Sequence, residues 1–140
     1  MNKSDLIAIR NVEQGDVAFV FNTWLKGLYY GGDAFFRKIP KAIFMDGYHK
    51  VIERILQSPG VIVKVACLKD DPEVITGYAV YRQAGGVTVI DWAYVKKEWR
   101  GIGLSKDLLP PEAYAATHLT RAGEAILTKL YPKTIFNPLI

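Results

Sequence analysis

The sequence predicts one three-layer α+β domain in which a mixed, mostly antiparallel sheet of about six strands carries helices on both faces. Its 140 residues, half of them hydrophobic, suffice to bury one core. The predicted elements follow the order strand, two helices, three strands, helix, strand, helix and strand. The stretch from Val87 to Val95 is apolar on both sides, which predicts a central strand covered by helices on both faces.

The first half of the chain predicts a strand and two amphipathic helices. Leu6 to Glu13 is typical of a first or edge strand, and Gly15-Asp16 supplies a turn and a helix N-cap. Apolar residues at helical spacing then predict a helix that ends at Gly31-Gly32. A second helix is predicted from about Lys41 to Gln57, where Ser58-Pro59-Gly60 stops it.

The second half predicts a meander of three strands followed by short elements. Gly85-Gly86 is a hairpin turn signal, and Pro110-Pro111 must end the helix that precedes it. The predicted elements are strands at 61–68, 74–83 and 87–95, a helix from Gly103 to Leu109, a strand from Glu112 to Leu119, a helix capped by Thr120 and running to Leu130, and an edge strand from Thr134 to Pro138.

Composition limits the classes of function. The net charge of +4 suits an anionic ligand, but the basic residues are scattered rather than clustered, so nucleic acid is an unlikely partner. The apolar runs are too short to cross a bilayer and no signal peptide is recognisable, which predicts a cytoplasmic protein without a membrane partner. The single cysteine excludes an internal disulfide, and His49 and His118 have no metal-ligand spacing, so no metal is expected.

The segment from Val95 to Ser105 is the strongest functional signal. A strand runs into the turn Arg100-Gly101-Ile102-Gly103 and then into a helix start. Glycine lets the backbone approach a ligand closely, so successive N–H groups can converge on phosphate oxygens, and Arg100 can add a charge-assisted contact. Neither a P-loop nor a dinucleotide-binding glycine motif is present. The alternative is a tight strand–helix connection with no ligand.

This segment resembles the acyl-CoA pyrophosphate loop of the GNAT acyltransferase superfamily. The chain supplies that pattern's valine, aromatic residue, arginine and two glycines, with serine where Gly or Ala is commoner and lysine where Pro is frequent: Val95, Trp99, Arg100, Gly101, Gly103, Ser105 and Lys97. The order of predicted elements is also the GNAT order, so the resemblance covers nearly the whole chain. The short C-terminal half is similar to compact GNAT-like proteins of bacteriophages.

The resemblance implies an N-acetyltransferase that moves acetyl from acetyl-CoA to a primary amine by direct attack. Residues implied to bind the coenzyme are Tyr94 and Val95 through pantetheine contacts, and Arg100, Gly101, Ile102, Gly103, Leu104 and Ser105 at the pyrophosphate. The Val95 N–H would polarise the thioester carbonyl. Aromatic residues implied to line the acceptor site are Tyr29, Tyr30 and Phe35.

Asp91 is the best single candidate for the base. Strict alternation puts it on the same face of its strand as Ala93 and Val95, where a carboxylate is otherwise hard to explain. A desolvated carboxylate there is suited to taking a proton. The alternative is a structural carboxylate, paired with a backbone N–H or with Arg82. His118, at the end of a predicted strand beside the expected cleft, is a minor catalytic hypothesis.

Tyr131 is the candidate acid. The stretch from Leu130 to Phe136 is similar to a GNAT ending whose tyrosine protonates the coenzyme sulfur, although Pro132 and Ile135 break the pattern. A role in core or surface packing is the alternative, and Tyr114 and Tyr94 are the other candidates for the acid. The imperfect ending keeps a second function open, a catalytically inactive GNAT-fold module that binds protein or nucleic acid. Exposed C-terminal edge strands also allow a homodimer.

Overall fold

The computed structural model describes residues 2–140 and arranges them around one six-stranded sheet whose strand order follows the chain. The strands are β1 (Ile7–Asn11), β2 (Val61–Leu68), β3 (Ile75–Ala84), β4 (Val87–Val95), β5 (Ala115–Ala116) and β6 (Ile135–Phe136). The helices are α1 (Val17–Gly31), α2 (Lys41–Leu56), α3 (Leu104–Leu108) and α4 (Arg121–Leu130). β1 to β4 are antiparallel, whereas β5 and β6 join in parallel. Within residues 2–140 no helix is long and apolar enough to cross a membrane.

Helices cover both faces of the sheet, which confirms the predicted fold class. On one face, Trp24 of α1 and Ile52 of α2 are completely buried in a core shared with Tyr78 of β3. On the other face, Leu108 of α3 packs in a second core, to which α4 contributes the half-buried Leu127. The apolar stripes of the two long helices therefore supply most of the first core, and the elements after β4 close the second.

Side-chain hydrogen bonds lie at the N-terminal ends of α1 and α4. Asp16 precedes α1, and its carboxylate accepts a 2.6 Å hydrogen bond from Arg10 and a 2.7 Å bond from the Glu13 N–H. The Arg10 guanidinium is the main cause that lowers the pKa of Asp16, with the Glu13 N–H also contributing. At the other end of the chain, the Thr120 hydroxyl accepts from the Gly123 N–H and begins α4 as predicted.

The C-terminal strands are shorter than predicted. β5 has two residues instead of the eight expected from Glu112 to Leu119, and β6 also has two. Pro110 and Pro111, which follow α3, have no N–H to donate to a ladder, and the chain turns away again after Thr117. The sheet is therefore broad at β1–β4 and narrow beyond them.

A β-bulge interrupts β4 at Asp91. Val80 pairs with Trp92 and Tyr81 pairs with Ile90, so Asp91 is an extra residue with no partner on β3. As a result Ile90 lies in the same core as Ala93 and Val95, not with Trp92 as alternation predicts. The face prediction is therefore wrong on the N-terminal side of the bulge.

Candidate functional site

The sheet splits between β4 and β5. Their parallel pairing covers two residue pairs, Val89 with Ala115 and Ile90 with Ala116. The hydrogen bond from the Thr117 N–H to the Ile90 carbonyl, at 3.0 Å, is the last main-chain hydrogen bond between the two segments within residues 2–140. From the bulge to Val95, β4 consequently presents an edge that no described strand covers.

Main-chain groups of Val95 face this open edge. The Lys96 N–H donates to the Thr76 carbonyl at 2.8 Å and so points toward β3. Because successive residues of a strand point their main-chain groups to opposite sides, Tyr94 also faces β3, while Ala93 and Val95 face the split. Ala93 therefore lies beside Val95 on the open edge. No pattern in the sequence had indicated Ala93 as a site residue.

The turn after β4 has the conformation that glycine allows. Gly101 and Gly103 have φ values of 82° and 87°, and a Cβ added at either would meet no atom within 4 Å. Within residues 2–140 the N–H groups of residues 101–105 have no hydrogen-bond acceptor. Five successive donors therefore remain unpaired at the end of the open strand edge.

Positive charge surrounds the turn. Between residues 96 and 107 the chain carries four basic and two acidic side chains. Arg100 holds the entrance of the turn, because its Nε donates to the Val95 carbonyl at 2.9 Å. The unpaired donors thus lie in an environment that favours an anion.

A small cavity continues the split between β4 and α4. Its volume is about 20 Å³, roughly the space of one water molecule. It is lined by Ile90, Trp92, Ala93, Leu109, His118, Leu119, Thr120, Gly123, Ile126 and Leu127. The wall is mostly apolar, and His118 is its one ionisable side chain.

Asp91 lies in a buried ion pair. Its side chain is 0% exposed, and its two oxygens accept from the Arg82 guanidinium at 2.8 and 3.3 Å. The Thr117 hydroxyl donates to the same carboxylate at 2.7 Å. Protein donors occupy both oxygens, which is the arrangement expected of the structural alternative.

Tyr131 follows the last residue of α4 and borders a second cavity of about 200 Å³ between α4, β5 and β6. Its hydroxyl donates to the Pro110 carbonyl. Burial, and secondarily the nearby Tyr81, raise the pKa of Tyr131, so the phenol is protonated at neutral pH. The phenol proton is therefore donated to a main-chain carbonyl, and Tyr131 does not line the cavity beside β4.

His118 is the polar group that the split brings to the cavity. Its ring makes edge contacts with Trp24 and Tyr48, and its Nδ1 lies 2.9 Å from the Thr117 hydroxyl. Burial is the main cause that lowers the pKa of His118, against the opposing effect of Asp91. The imidazole is therefore neutral at neutral pH. Its position at the end of a predicted strand was the signal available in the sequence.

The aromatic segment at the end of α1 lies beside the start of α4. A Cβ on Gly31 would lie 3.7 Å from the Thr120 side chain, which lines the cavity. Tyr29 is buried against the ring of Phe44. The rings of Tyr30 and Phe35 are 57% and 70% exposed, so of the three predicted substrate residues these two face solvent.

Comparisons with known proteins show the fold. No family model and no curated protein matches the chain. A candidate acetyl transferase from Pyrococcus furiosus is similar, with 15% identity, a TM-score of 0.59, and coverage of 92% of this chain and 79% of that one. A possible acetyltransferase from Clostridium difficile has 17% identity and a TM-score of 0.50, covering 73% of this chain and 65% of that one.

An acetyltransferase of the GNAT family from Staphylococcus aureus also matches, at 16% identity and a TM-score of 0.48, over 73% of this chain and 60% of that one. The first two similarities, together with the six-stranded mixed sheet, show that this chain shares its fold with these two proteins and confirm the predicted fold class. The chain spans less than two thirds of the Clostridium difficile protein, so likeness in fold carries no activity over by itself.

Proposed function

We propose that the protein is an N-acetyltransferase that transfers acetyl from acetyl-CoA to a primary amine. The observation that carries this proposal is the junction of two features, an uncovered strand edge that ends at Val95 and five unpaired N–H groups directly after it. Acetyl-CoA needs both, because its pantetheine arm pairs like a strand and its pyrophosphate accepts several hydrogen bonds.

The coenzyme's contacts follow from this geometry. The N–H groups from Gly101 to Ser105 bind the pyrophosphate, and the basic side chains around the turn offset its charge. The pantetheine arm lies along β4, and the Val95 N–H donates to the thioester carbonyl. The cavity holds about one water, so coenzyme binding on this proposal widens the split between β4 and α4.

The acceptor amine approaches from the side of α1 and α2. Tyr30 and Phe35 are exposed there, and the adjoining Gly31 leads to Thr120 at the cavity wall. Lysine side chains lie over both exposed rings, Lys41 over Tyr30 and Lys38 over Phe35. Such a surface suits a flat or apolar amine or the end of a peptide.

Calorimetric titration with acetyl-CoA tests the proposal, with a matched pair of glycine variants. Gly103→Ala places a methyl group in the space before the unpaired donors, and we expect at least about tenfold weaker binding from the lost approach. The control is Gly86→Ala in the β3–β4 hairpin, where φ is 83° and a Cβ also meets nothing within 4 Å.

Both variants carry a similar cost, about 1–2 kcal/mol, for a left-handed alanine. A difference in affinity between them therefore reports the ligand and not the strain. If wild type does not bind acetyl-CoA, or if the two variants bind it equally well, the proposal is wrong.

A second candidate is a catalytically inactive module with the same fold. The observation that favours it is that Asp91 and Tyr131 are both occupied by protein partners. An inactive module would release no thiol from acetyl-CoA with any amine. Salt-sensitive binding to duplex DNA without coenzyme binding would identify a nucleic-acid module.

A further inference from the structure

His118 occupies the point where the chain leaves β5 and the cavity begins. Its ring is enclosed by Trp24 of α1 and Tyr48 of α2, with ring centroids 5.7 and 6.0 Å away. The charged groups that face it are Asp91 of β4 and Arg82 of β3. Residues of α4 complete the cavity wall without adding a titratable group.

The hydrogen-bond chain around His118 fixes its tautomer. The Asp91 carboxylate pairs with the Arg82 guanidinium and accepts from the Thr117 hydroxyl at 2.7 Å, so the hydroxyl gives its one proton to Asp91. The same hydroxyl lies 2.9 Å from His118 Nδ1 and can only accept there. Nδ1 therefore carries the ring proton, and Nε2 has a free lone pair.

Nε2 is the ring nitrogen that Thr117 leaves free. Thr117 contacts Nδ1, and the hydrogen bonds of the described residues include none from Nε2 to another side chain. The Asp91 main chain also acts on the ring through a hydrogen bond that raises the pKa of His118 against the effect of burial. Since the ring lines the cavity beside Trp92 and Ala93, a ligand along the open edge of β4 passes close to it. The network thus holds one basic nitrogen at the mouth of the split.

We propose that His118 is the catalytic base, whose Nε2 takes a proton from the acceptor ammonium group, and that Thr117 and Asp91 are the positioning residues that hold the ring. This inference rests on the proposed acetyl transfer and names the residue that activates its acceptor. Asp91 then acts through Thr117 and not on the substrate.

The proposed reaction conserves atoms and charge. The acceptor ammonium gives one proton to Nε2 and becomes an amine, whose lone pair attacks the thioester carbonyl carbon. The C–N bond forms, the C–S bond breaks, and the second nitrogen proton leaves with the thiolate as free thiol. The products are the acetylated amine, CoA thiol and one proton, which His118 returns to solvent. Because burial lowers the pKa of His118, the ring is unprotonated at neutral pH and available as a base, and the rate falls as pH drops through that pKa.

Nitrogen-15 NMR of the imidazole rings tests the inference without coenzyme or substrate. The chain has two histidines, so His49→Asn assigns the signals and serves as the exposed control. We expect neutral His118 to carry its proton on Nδ1, and Thr117→Val to lose that preference. A wild-type ring with its proton on Nε2 overturns the inference.

Kinetics supply the second arm. Thiol release is measured with acetyl-CoA and four amines: tryptamine, spermidine, a lysine peptide and a peptide with a free N-terminus. We expect His118→Asn to lower kcat about 10²–10⁴-fold with unchanged acetyl-CoA affinity, and His49→Asn to match wild type. His118→Asn with the wild-type kcat and pH profile overturns the inference. Failure of wild type to bind acetyl-CoA would instead overturn the proposed function, while the NMR result still decides the state of His118.

Discussion

The Arg82–Asp91 pair is the residue-scale feature on which the site depends. Asp91 is completely buried, and the Arg82 side chain is 14% exposed. Arg82 also donates to the main-chain oxygen of Ile140 at 2.9 Å, which attaches the end of the described chain to β3. The pair therefore connects β3, the β4 bulge and the segment after β5.

Removing one member of this pair leaves a buried charge without a partner. We expect Arg82→Met to lower the free energy of unfolding by about 3–5 kcal/mol. Arg82→Met combined with Asp91→Asn should recover part of that loss, because the charge is gone. Urea denaturation measures both, with exposed Arg54→Met on α2 as a control that stays within about 0.5 kcal/mol of wild type. An unaffected Arg82→Met protein would show that the pair does not support the fold.

The sequence indicated Asp91 as the candidate base, because a carboxylate inside an apolar strand needs an explanation. It also offered the alternative of a structural carboxylate paired with Arg82. Alternation put the residues before Asp91 on the wrong faces of the strand, since it cannot detect an extra residue. The environment of His118 was out of reach for a different reason. Trp24, Tyr48 and Asp91 are brought to it from three separate segments of the chain.

Among the elements, β4 is the one that positions the site, and its contact with β3 is tight. Gly77 of β3 allows this, because a Cβ there would lie 2.7 Å from the Tyr94 carbonyl oxygen and 3.3 Å from the Val95 Cα. Both are main-chain atoms that cannot move aside as a flexible side chain does. β4 therefore keeps its position only if residue 77 has no side chain.

Gly77→Ala should destabilise the protein by about 1–3 kcal/mol and weaken acetyl-CoA binding, because β4 must shift at Val95. Gly47→Ala on α2 is the contrasting variant. A Cβ there meets nothing within 4 Å, and alanine favours a helix over glycine by about 0.5–1 kcal/mol, so stability should rise. Urea denaturation and calorimetry compare the two. A Gly77→Ala protein with wild-type stability would contradict the close approach.

The long elements were predictable and the short ones were not. α1 and α2 have apolar stripes over four turns, and β2 and β4 match their predicted bounds. β5 and β6 are only two residues long, because the length of each is set by its pairing with a neighbouring strand. No local sequence pattern encodes that pairing. Pro110-Pro111 correctly predicted that α3 ends early.

Over the whole molecule, the fold places an open strand edge, a glycine turn and a neutral histidine along one split in the sheet. The order of elements and the glycine turn were sufficient to predict the fold from the sequence. The residues that line the split were not predictable from the sequence. They depend on where β4 and β5 separate and on which residues of β4 the bulge turns inward. The proposed function requires that this split receives acetyl-CoA.

Titration of ¹⁵N-labelled protein with acetyl-CoA, followed by amide NMR, tests that claim most directly. We expect the largest amide chemical-shift changes at Val95 and from Gly101 to Ser105, and unchanged amide shifts in the hairpin at Gly85-Gly86. Unchanged amides in the turn at saturating coenzyme, or shifts confined to another surface, would contradict it.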